Sequence, residues 1–284
     1  MPAHTMTWMI TGADSDIGLA LQAQLQPTRR RVMAFSEAAL PLTDTPHLTS
    51  LLTQIRPSLL FLTTPQLASG ATSVLPLSAL TAIARWSAVH EATIVLLSSA
   101  QVFKGAMQSY HEQHIIHAES EDARQQLAQE DTLLSLCPQA HIVRLGSLFN
   151  DTHLMRWQQR FEQDEPLLAG HLWCTPTPTH DAAAQLIQLA HMLEEGEALP
   201  ERIHLGSTPA LSEIAMVKTL YDAMTTVVDL PPLQLSAAIG QRHTEPALSS
   251  QVAELIGIPP RDWRDTLIEM LSPQAVRRSY TTKL

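Results

Sequence analysis

The stretch TGADSDIG, residues 11–18, decides the fold of this chain. It follows the apolar run Trp8-Met9-Ile10 and precedes Leu19-Ala20-Leu21, which is the order of a strand, a tight turn and a helix. Turns of this kind hold dinucleotides when glycine allows a sharp bend, close approach of the backbone to a pyrophosphate and close packing of helix on strand. The stretch therefore predicts a nucleotide-binding turn after the first strand.

The composition of the turn argues against tight binding. Gly12 and Gly18 occupy the first and third positions of a G-x-x-G-x-x-G spacing, but Ser15 occupies the second. Its side chain could bond a phosphate, yet it also narrows the gap that the backbone needs. Asp14 and Asp16 bring negative charge to a helix N-terminus that would otherwise attract an anion. We expect a weakened dinucleotide site; a turn kept only to pack the first helix explains the same residues equally well.

Apolar runs of strand length alternate with stretches of helical spacing in the first half of the chain. Strands are predicted over 7–10, 31–35, 58–62, 93–97 and 141–145, and helices over 17–25, 47–55, 77–90 and 123–136. This alternation is typical of a parallel sheet, and strands without polar alternation indicate helices on both faces. We predict an α/β fold, a Rossmann-type doubly wound parallel sheet with a smaller C-terminal substrate lobe.

The regular alternation of predicted strands and helices ends after residue 150. Helices are predicted over 181–193, from Ser212 to about residue 225 and over 263–271, with a short strand over 202–205. We expect a Rossmann-type dinucleotide-binding domain over 1–148 and a smaller substrate-binding lobe over 149–284, packed on the first with some interleaving of the chain.

Charge and cysteine content exclude several classes of function. The 284 residues include 18 Lys and Arg against 28 Asp and Glu, a formal charge of −10, and no basic block suits a nucleic acid. Cys137 and Cys174 are far apart and lack a metal-ligand spacing, which indicates a reducing compartment and no metal site. No apolar run reaches the ~20 residues that cross a bilayer, so we expect a cytoplasmic protein that binds no membrane.

Several short motifs follow one another along nearly the whole chain. They are Ile55-Arg-Pro-Ser58, Ser98-Ser-Ala-Gln-Val-Phe103, Leu127-Ala-Gln-Glu130, Arg144-Leu-Gly146, Pro176-Thr-Pro-Thr-His-Asp-Ala-Ala183, His204-Leu205, the segment 242–248 and Pro260-Arg-Asp-Trp263. In order and spacing they resemble I-R-P-D, S-T-D-Y-V-F, L-A-G-E, R-x-S, P-T-x-A-x-D-L-A, Y-H-L, R-P-x-x-S-x-L and P-D-W of the dTDP-4-dehydrorhamnose reductase family, atypical extended short-chain dehydrogenase/reductases. The resemblance implies an NAD(P)-binding fold related to nucleotide-sugar reduction.

The same resemblance implies that the catalytic group is incomplete. In that family a tyrosine and a lysine at Y-x-x-x-K handle the proton, and a Ser or Thr helps to polarise the carbonyl. The resemblance puts Ser99 at the Ser/Thr position, Asp122 at the tyrosine position and Gln126 at the lysine position. None of the three tyrosines is followed four residues later by lysine, so no shift of register restores the pair. Ser99 is a vestige of the catalytic group.

The resemblance also implies where a cofactor would bind. The candidates lie at the ends of the first four strands: Gly12, Ser15, Asp16, Ile17 and Gly18, then Ser36, then Thr63 and Thr64, then Ser98. Ser36 replaces the usual ribose-binding acid, with Glu37 one place late, so NADP is favoured over NAD. The weakened turn is equally compatible with no cofactor.

We therefore predict a non-catalytic protein, a pseudoenzyme, that binds a nucleotide or nucleotide sugar or regulates a partner. The alternative is an NADPH-dependent reductase of a 4-keto nucleotide sugar with a substituted proton donor, such as His111, His114 or His117, or with Lys104 as a substitute cation. We favour an ordinary exposed loop as the interpretation of these residues. A third interpretation is a protein-binding scaffold without a small ligand, and a protein partner or homodimer is compatible with each.

Overall fold

The computed structural model describes residues 6–28, 30–63, 75–103, 108–163, 166–237 and 246–272. Its strands are β1 (Thr7–Thr11), β2 (Arg31–Phe35), β3 (Leu59–Leu62), β4 (Thr93–Ser99), β5 (His141–Leu145), β6 (Leu148–Phe149), β7 (Leu167–Ala169), β8 (Trp173–Cys174), β9 (Thr177–Pro178), β10 (Arg202–Leu205), β11 (Leu211–Ser212) and β12 (Leu235–Ala237). Its helices are α1 (Asp16–Leu25), α2 (Thr45–Ile55), α3 (Leu77–His90), α4 (Glu121–Leu136), α5 (Asp151–Glu162), α6 (Thr179–Glu194), α7 (Glu213–Met224), α8 (Gln251–Leu255) and α9 (Trp263–Met270).

Six strands form one parallel sheet in the order β10-β5-β4-β3-β1-β2. The chain runs from β1 outward to β2 and then returns to β3 on the other side of β1. The strand order therefore reverses between β1 and β3, and ligands of such sheets bind at this point, beyond the carboxyl ends of the strands. The stretch 11–18 lies there.

Helices cover both faces of the sheet, as the continuous apolarity of the strands predicted. On one face α1 and α6 pack on a core that includes Trp8, Ile10 and Leu186. On the other face α2, α3 and α4 pack on a core that includes Met9 and Leu60. Neighbouring residues of one strand thus point into opposite cores. The predicted doubly wound α/β fold is confirmed.

A smaller lobe follows the sheet. We use this name for α5, α7 and α9 with the short strands β7, β8, β11 and β12, whose shared core includes Phe161, Val217, Leu220 and Trp263. Three elements after residue 148 join the main sheet instead: β10 is its edge strand, and α6 and α8 pack on it. None of the helices that the structure describes is long and apolar enough to span a bilayer.

The sequence analysis missed α5. This helix carries only two buried side chains, Leu154 and Phe161, in an otherwise polar segment. Its signal was present in the spacing of Leu154, Trp157 and Phe161 and in Asn150, whose side chain caps the helix by accepting a hydrogen bond from the His153 N–H.

Candidate functional site

The turn after β1 requires glycine at residue 12. Gly12 has a φ of +57°, in the left-handed region that residues with a Cβ rarely adopt. A Cβ there would lie 2.5 Å from Thr63 Oγ1 and 2.7 Å from the carbonyl oxygen of Thr63. Gly18 is equally confined, because a Cβ there would collide with the carbonyl oxygen of Gly12. Both glycines are needed to pack the turn, α1 and the end of β3 together.

The Ser15 side chain forms hydrogen bonds within the turn. Its Oγ accepts a hydrogen bond from the Gly18 N–H at 3.1 Å, as the N-cap of α1, and donates to the carbonyl of Gly12 at 2.7 Å. Thr63 Oγ1 lies 3.3 Å from it and donates to the carbonyl of Thr11 at 2.5 Å. Ser15 and Thr63 are both buried. The Ser15 hydroxyl is therefore engaged within the turn, where the sequence analysis had offered it to a phosphate.

The start of α1 offers backbone donors and opposing charges together. Among the residues that the structure describes, no acceptor faces the N–H groups of Asp16 and Ile17. Such N–H groups at a helix N-terminus attract anions. The side chain of Asp14 is exposed and that of Asp16 is half-buried beside them. The backbone suits a pyrophosphate, whereas the two carboxylates oppose one.

The end of β2 carries a hydroxyl and no cation. Ser36 follows the strand directly, and its Oγ accepts a hydrogen bond from the Ala39 N–H at 3.3 Å. Residues 36–44 contain no Lys or Arg. Arg31 begins β2 at the opposite end, and Arg30 is paired there with Glu194 at 2.7 Å. The segment 36–44 offers no cation to a 2′-phosphate, so this part of the described structure gives no support to the preference for NADP over NAD. Thr64 and Lys104 lie outside the described residues.

The structure brings Ser99 and Gln126 together. Ser99 ends β4, is buried, and donates a hydrogen bond to the Gln126 side-chain oxygen at 3.0 Å. The Ser99 Oγ also accepts a hydrogen bond from the Gln101 N–H at 3.2 Å. Asp122 lies one turn before Gln126 on α4 and is exposed. The position beside the Ser99 hydroxyl is thus occupied by a carboxamide.

A buried ion pair lies directly behind Ser99. The Ser98 hydroxyl donates to Glu130 Oε1 at 2.5 Å, and Arg144 donates to both oxygens of Glu130, at 3.0 and 2.6 Å. The side chains of Glu130 and Arg144 are fully buried. Such a pair is stable only when the charges are matched and bonded on all sides. It fixes the end of β4 to α4 and β5.

His204 on β10 extends this network to the loop before α4. Its Nδ1 donates to the carbonyl of Tyr110 at 3.1 Å, and its Nε2 lies 3.4 Å from the Arg144 guanidinium. Burial, and then the charge of Arg144, lower the pKa of His204 to about 3. The backbone N–H of His204 donates a hydrogen bond to the Glu112 side chain at 2.9 Å. The loop therefore covers the edge strand of the sheet, where Glu112 is half-buried.

The histidines of that loop form no metal centre in the described ranges. The His111 N–H donates to His114 Nδ1 at 2.8 Å. Among the described residues no group of three or more His, Cys, Asp or Glu is arranged to hold a metal ion. The Tyr110 ring stacks on Phe103 at 4.5 Å between centroids. Tyr221 lies in the smaller lobe, where its hydroxyl donates to the carbonyl of Pro231.

The sequence analysis missed the roles of Glu130, Arg144 and His204. It used all three only as parts of motifs. One signal could have found them: Arg144 interrupts an apolar strand, and a cation in a strand buried on both faces requires a buried anion.

Comparisons with known proteins agree with this architecture. The family profile described as RmlD substrate binding domain matches residues 6–276. The NADP complex of dTDP-4-dehydrorhamnose reductase from Bacillus anthracis is similar in structure, with a TM-score of 0.79 and 18% identity, over 95% of this chain and 98% of that one. The enzyme of that name from Clostridium acetobutylicum gives a TM-score of 0.77 and 19% identity, over 93% and 98%.

A third similar structure is WbmG from Bordetella bronchiseptica in complex with NAD and UDP. It has a TM-score of 0.74 and 13% identity, over 92% of each chain. A comparison with curated protein sequences gives no match. At these identities the structural likenesses show a shared fold, whereas the profile match covers nearly the whole chain. The chain therefore belongs to the RmlD substrate binding domain family, as its resemblance to the dTDP-4-dehydrorhamnose reductases predicted.

Proposed function

We propose that this protein binds a nucleotide or nucleotide sugar beyond the carboxyl ends of β1, β3 and β4, and that it transfers no hydride itself. The observation that carries the proposal is the hydrogen bond between Ser99 and Gln126, 3.0 Å long, because the resemblance to the family puts Gln126 at the position of the catalytic lysine. A protein that binds such a ligand without converting it would act as a ligand sensor or as the regulatory subunit of a partner protein.

The chemistry of these side chains supports the absence of catalysis. Reduction of a ketone needs a proton donor beside the carbonyl oxygen as the hydride arrives. The carboxamide of Gln126 does not release a proton at neutral pH, and it is already bonded to Ser99. Asp122 is exposed on α4, and its carboxylate would repel a developing alkoxide.

The residues that would hold a dinucleotide are those of the turn and its neighbours. The N–H groups of Asp16 and Ile17 would face the phosphates, in a turn shaped by Gly12, Ser15 and Gly18. The Ser36 hydroxyl would face the ribose, and Thr63 and Ser98 would line the crevice; Thr64 remains a prediction from the sequence. A bound NADP or NAD would supply a nicotinamide for redox chemistry. The Gln126 carboxamide, which is bonded to Ser99, would supply no proton for it.

Known complexes of similar folds support a nucleotide ligand. The Bacillus anthracis protein is in complex with NADP, and the Bordetella bronchiseptica protein is in complex with NAD and UDP. We expect weaker binding here, because Asp14 and Asp16 put two carboxylates beside the phosphate donors.

We further propose a boundary near residue 148 between the dinucleotide-binding domain and the substrate-binding lobe, with β10 and α6 as the interleaved elements. We also propose a cytoplasmic location.

Titration calorimetry with NAD, NADP and a dTDP-sugar tests the proposal. We expect saturable heat with at least one of them. Asp16→Asn should raise the affinity about two- to fivefold, because it removes one charge from the helix N-terminus. Asp222→Asn, on an exposed position of α7, is the matched control and should leave the affinity unchanged. No heat with any ligand at millimolar concentration would instead support a protein-binding scaffold.

The alternative is a reductase that takes its proton from a substituted donor. It is favoured by Ser99, which keeps a buried hydroxyl at the end of β4. This alternative requires a measurable NADPH-dependent turnover that Ser99→Ala abolishes, whereas our proposal requires that there is no turnover to abolish.

A further inference from the structure

The end of β2 lies directly beside the turn after β1. The Ala13 N–H donates a hydrogen bond to the carbonyl oxygen of Phe35, the last residue of β2, at 3.0 Å. Since Asp14 follows Ala13 and Ser36 follows Phe35, this bond brings the starts of the two loops together. In folds of this type the adenosine ribose of a dinucleotide is recognised through its 2′-substituent at the end of the second strand. The contact therefore fixes where a 2′-hydroxyl or a 2′-phosphate would lie.

The side chains that border this position are acidic. Asp14 is exposed in the turn, and Glu37 is exposed one residue after Ser36. Asp16, at the start of α1, is half-buried. A carboxylate accepts hydrogen bonds from a ribose hydroxyl, whereas it repels a phosphate. The position thus suits an uncharged ribose better than a phosphorylated one.

The segments that follow β1, β2 and β3 carry no Lys or Arg to offset these charges. Residues 11–28, 32–55 and 57–84 contain neither, and His47 is their only other basic side chain. Arg31 begins β2, and Arg56 caps the C-terminal end of α2. Both lie at the end of the sheet where the strands begin, opposite to the ligand crevice.

The other cations of the described ranges lie on different elements. In the main sheet they are on β5 and β10, on the far side of β4 in the strand order, and on α4, which connects β4 to β5. In the smaller lobe they are on α5, α7 and α9 or directly before α9. Arg85 lies about two turns into α3, where it lines a groove with Thr45 and Thr81. None of these elements follows β1 or β2 in the chain.

From this arrangement we propose that the crevice selects NAD over NADP. The inference rests on the proposed function, because it concerns the ribose end of the same ligand crevice. A phosphate monoester carries about two negative charges near neutral pH, and NADP would place them beside Asp14 and Glu37. The 2′-hydroxyl of NAD is uncharged and can donate a hydrogen bond to either carboxylate. The charges around Ser36 therefore reverse the preference that its replacement of an acid had indicated.

Titration calorimetry with NAD and NADP at pH 8, where exposed imidazoles are neutral, tests this selection. We expect a dissociation constant for NAD at least about tenfold below that for NADP, which still binds at higher concentration. Glu37→Arg should raise the affinity for NADP at least about tenfold and change that for NAD less, because it replaces a repelling charge with an attracting one.

The matched control is Glu91→Arg. It makes the same exchange at an exposed position directly before β4, at the opposite end of the sheet, and should leave the ratio of the two affinities unchanged. Salt gives a second readout, since screening should bring the two dissociation constants of the wild type closer together. Circular dichroism should show both variants melting within a few degrees of the wild type.

The outcomes separate this inference from the proposed function. NADP that binds as tightly as NAD, or a preference that Glu37→Arg leaves unchanged, would overturn the selection while the proposed function stands. Binding of a dTDP-sugar with no heat from either dinucleotide would do the same. No heat with any of the three ligands would overturn the proposed function and the selection together.

Discussion

Gly12 illustrates how a single residue is constrained by the turn. Gly12→Ala should destabilise the protein by at least about 2 kcal/mol, since it combines a left-handed backbone with a Cβ 2.5 Å from Thr63 Oγ1. Gly196→Ala separates the two causes, because Gly196 also has a positive φ, of +80°, but has no atom within 4 Å of its Cβ position. Urea unfolding should show the smaller loss for Gly196→Ala, and equal losses would contradict the contact with Thr63.

Glu130 is the second residue that admits a sharp test. Glu130→Gln leaves the Arg144 guanidinium buried without its counter-ion and should cost about 3–5 kcal/mol of unfolding free energy. Glu121→Gln breaks an exposed ion pair with Arg124 on the same helix and should cost far less unfolding free energy, because water screens that pair. If the two variants were equally stable in urea titrations, the buried pair would not hold β4, β5 and α4 together.

At the residue scale, the sequence predicts which residues shape the turn better than it predicts what each side chain contacts. Gly12 and Gly18 were predicted from spacing alone, because the strained turn leaves no other residue type. The inward turn of the Ser15 hydroxyl and the pairing of Glu130 with Arg144 depend on contacts between separate elements. No local pattern contains those contacts.

At the scale of elements, β10 and the loop over it should make stability depend on pH. His204 on β10 has a folded pKa of about 3, below its ordinary value of 6.5, because of burial and the charge of Arg144. Between these values the unfolded chain binds a proton that the folded chain does not, so stability falls as the pH falls. From about pH 6.5 to about pH 5 this group should remove about 1–2 kcal/mol of unfolding free energy.

His204→Gln tests this dependence, because glutamine does not titrate. The variant should lose less stability than the wild type between the two pH values in urea titrations. His47→Gln, on the exposed side of α2, should retain the wild-type dependence. An unchanged pH dependence in His204→Gln would exclude His204 as its source.

Elements of the main sheet were predictable because burial on both faces leaves a continuous apolar run. The strands β2 and β5 have the predicted bounds, and β4 runs two residues further, to Ser99. The two-residue strands β6, β8 and β9 of the second half are too short to carry a pattern. Their pairing follows from tertiary contacts, such as the register of Leu148 with Thr177.

At the scale of the whole molecule, the chain has the fold and the family profile of dTDP-4-dehydrorhamnose reductases, and we propose that it has lost their chemistry. A fold can keep a ligand crevice when its chemistry is lost, because the fold alone does not determine the function. The sequence predicts this loss through the absence of Y-x-x-x-K, and turnover is the property that tests it.

The most direct test of the proposed loss of catalysis is turnover. The purified full-length protein is mixed with NADPH and a 4-keto nucleotide sugar, and NADPH absorbance is followed beside an active dTDP-4-dehydrorhamnose reductase as positive control. We predict no oxidation of NADPH above the rate without protein. Oxidation at an ordinary enzyme rate of about 1 per second or faster, with formation of the reduced sugar, would contradict the account.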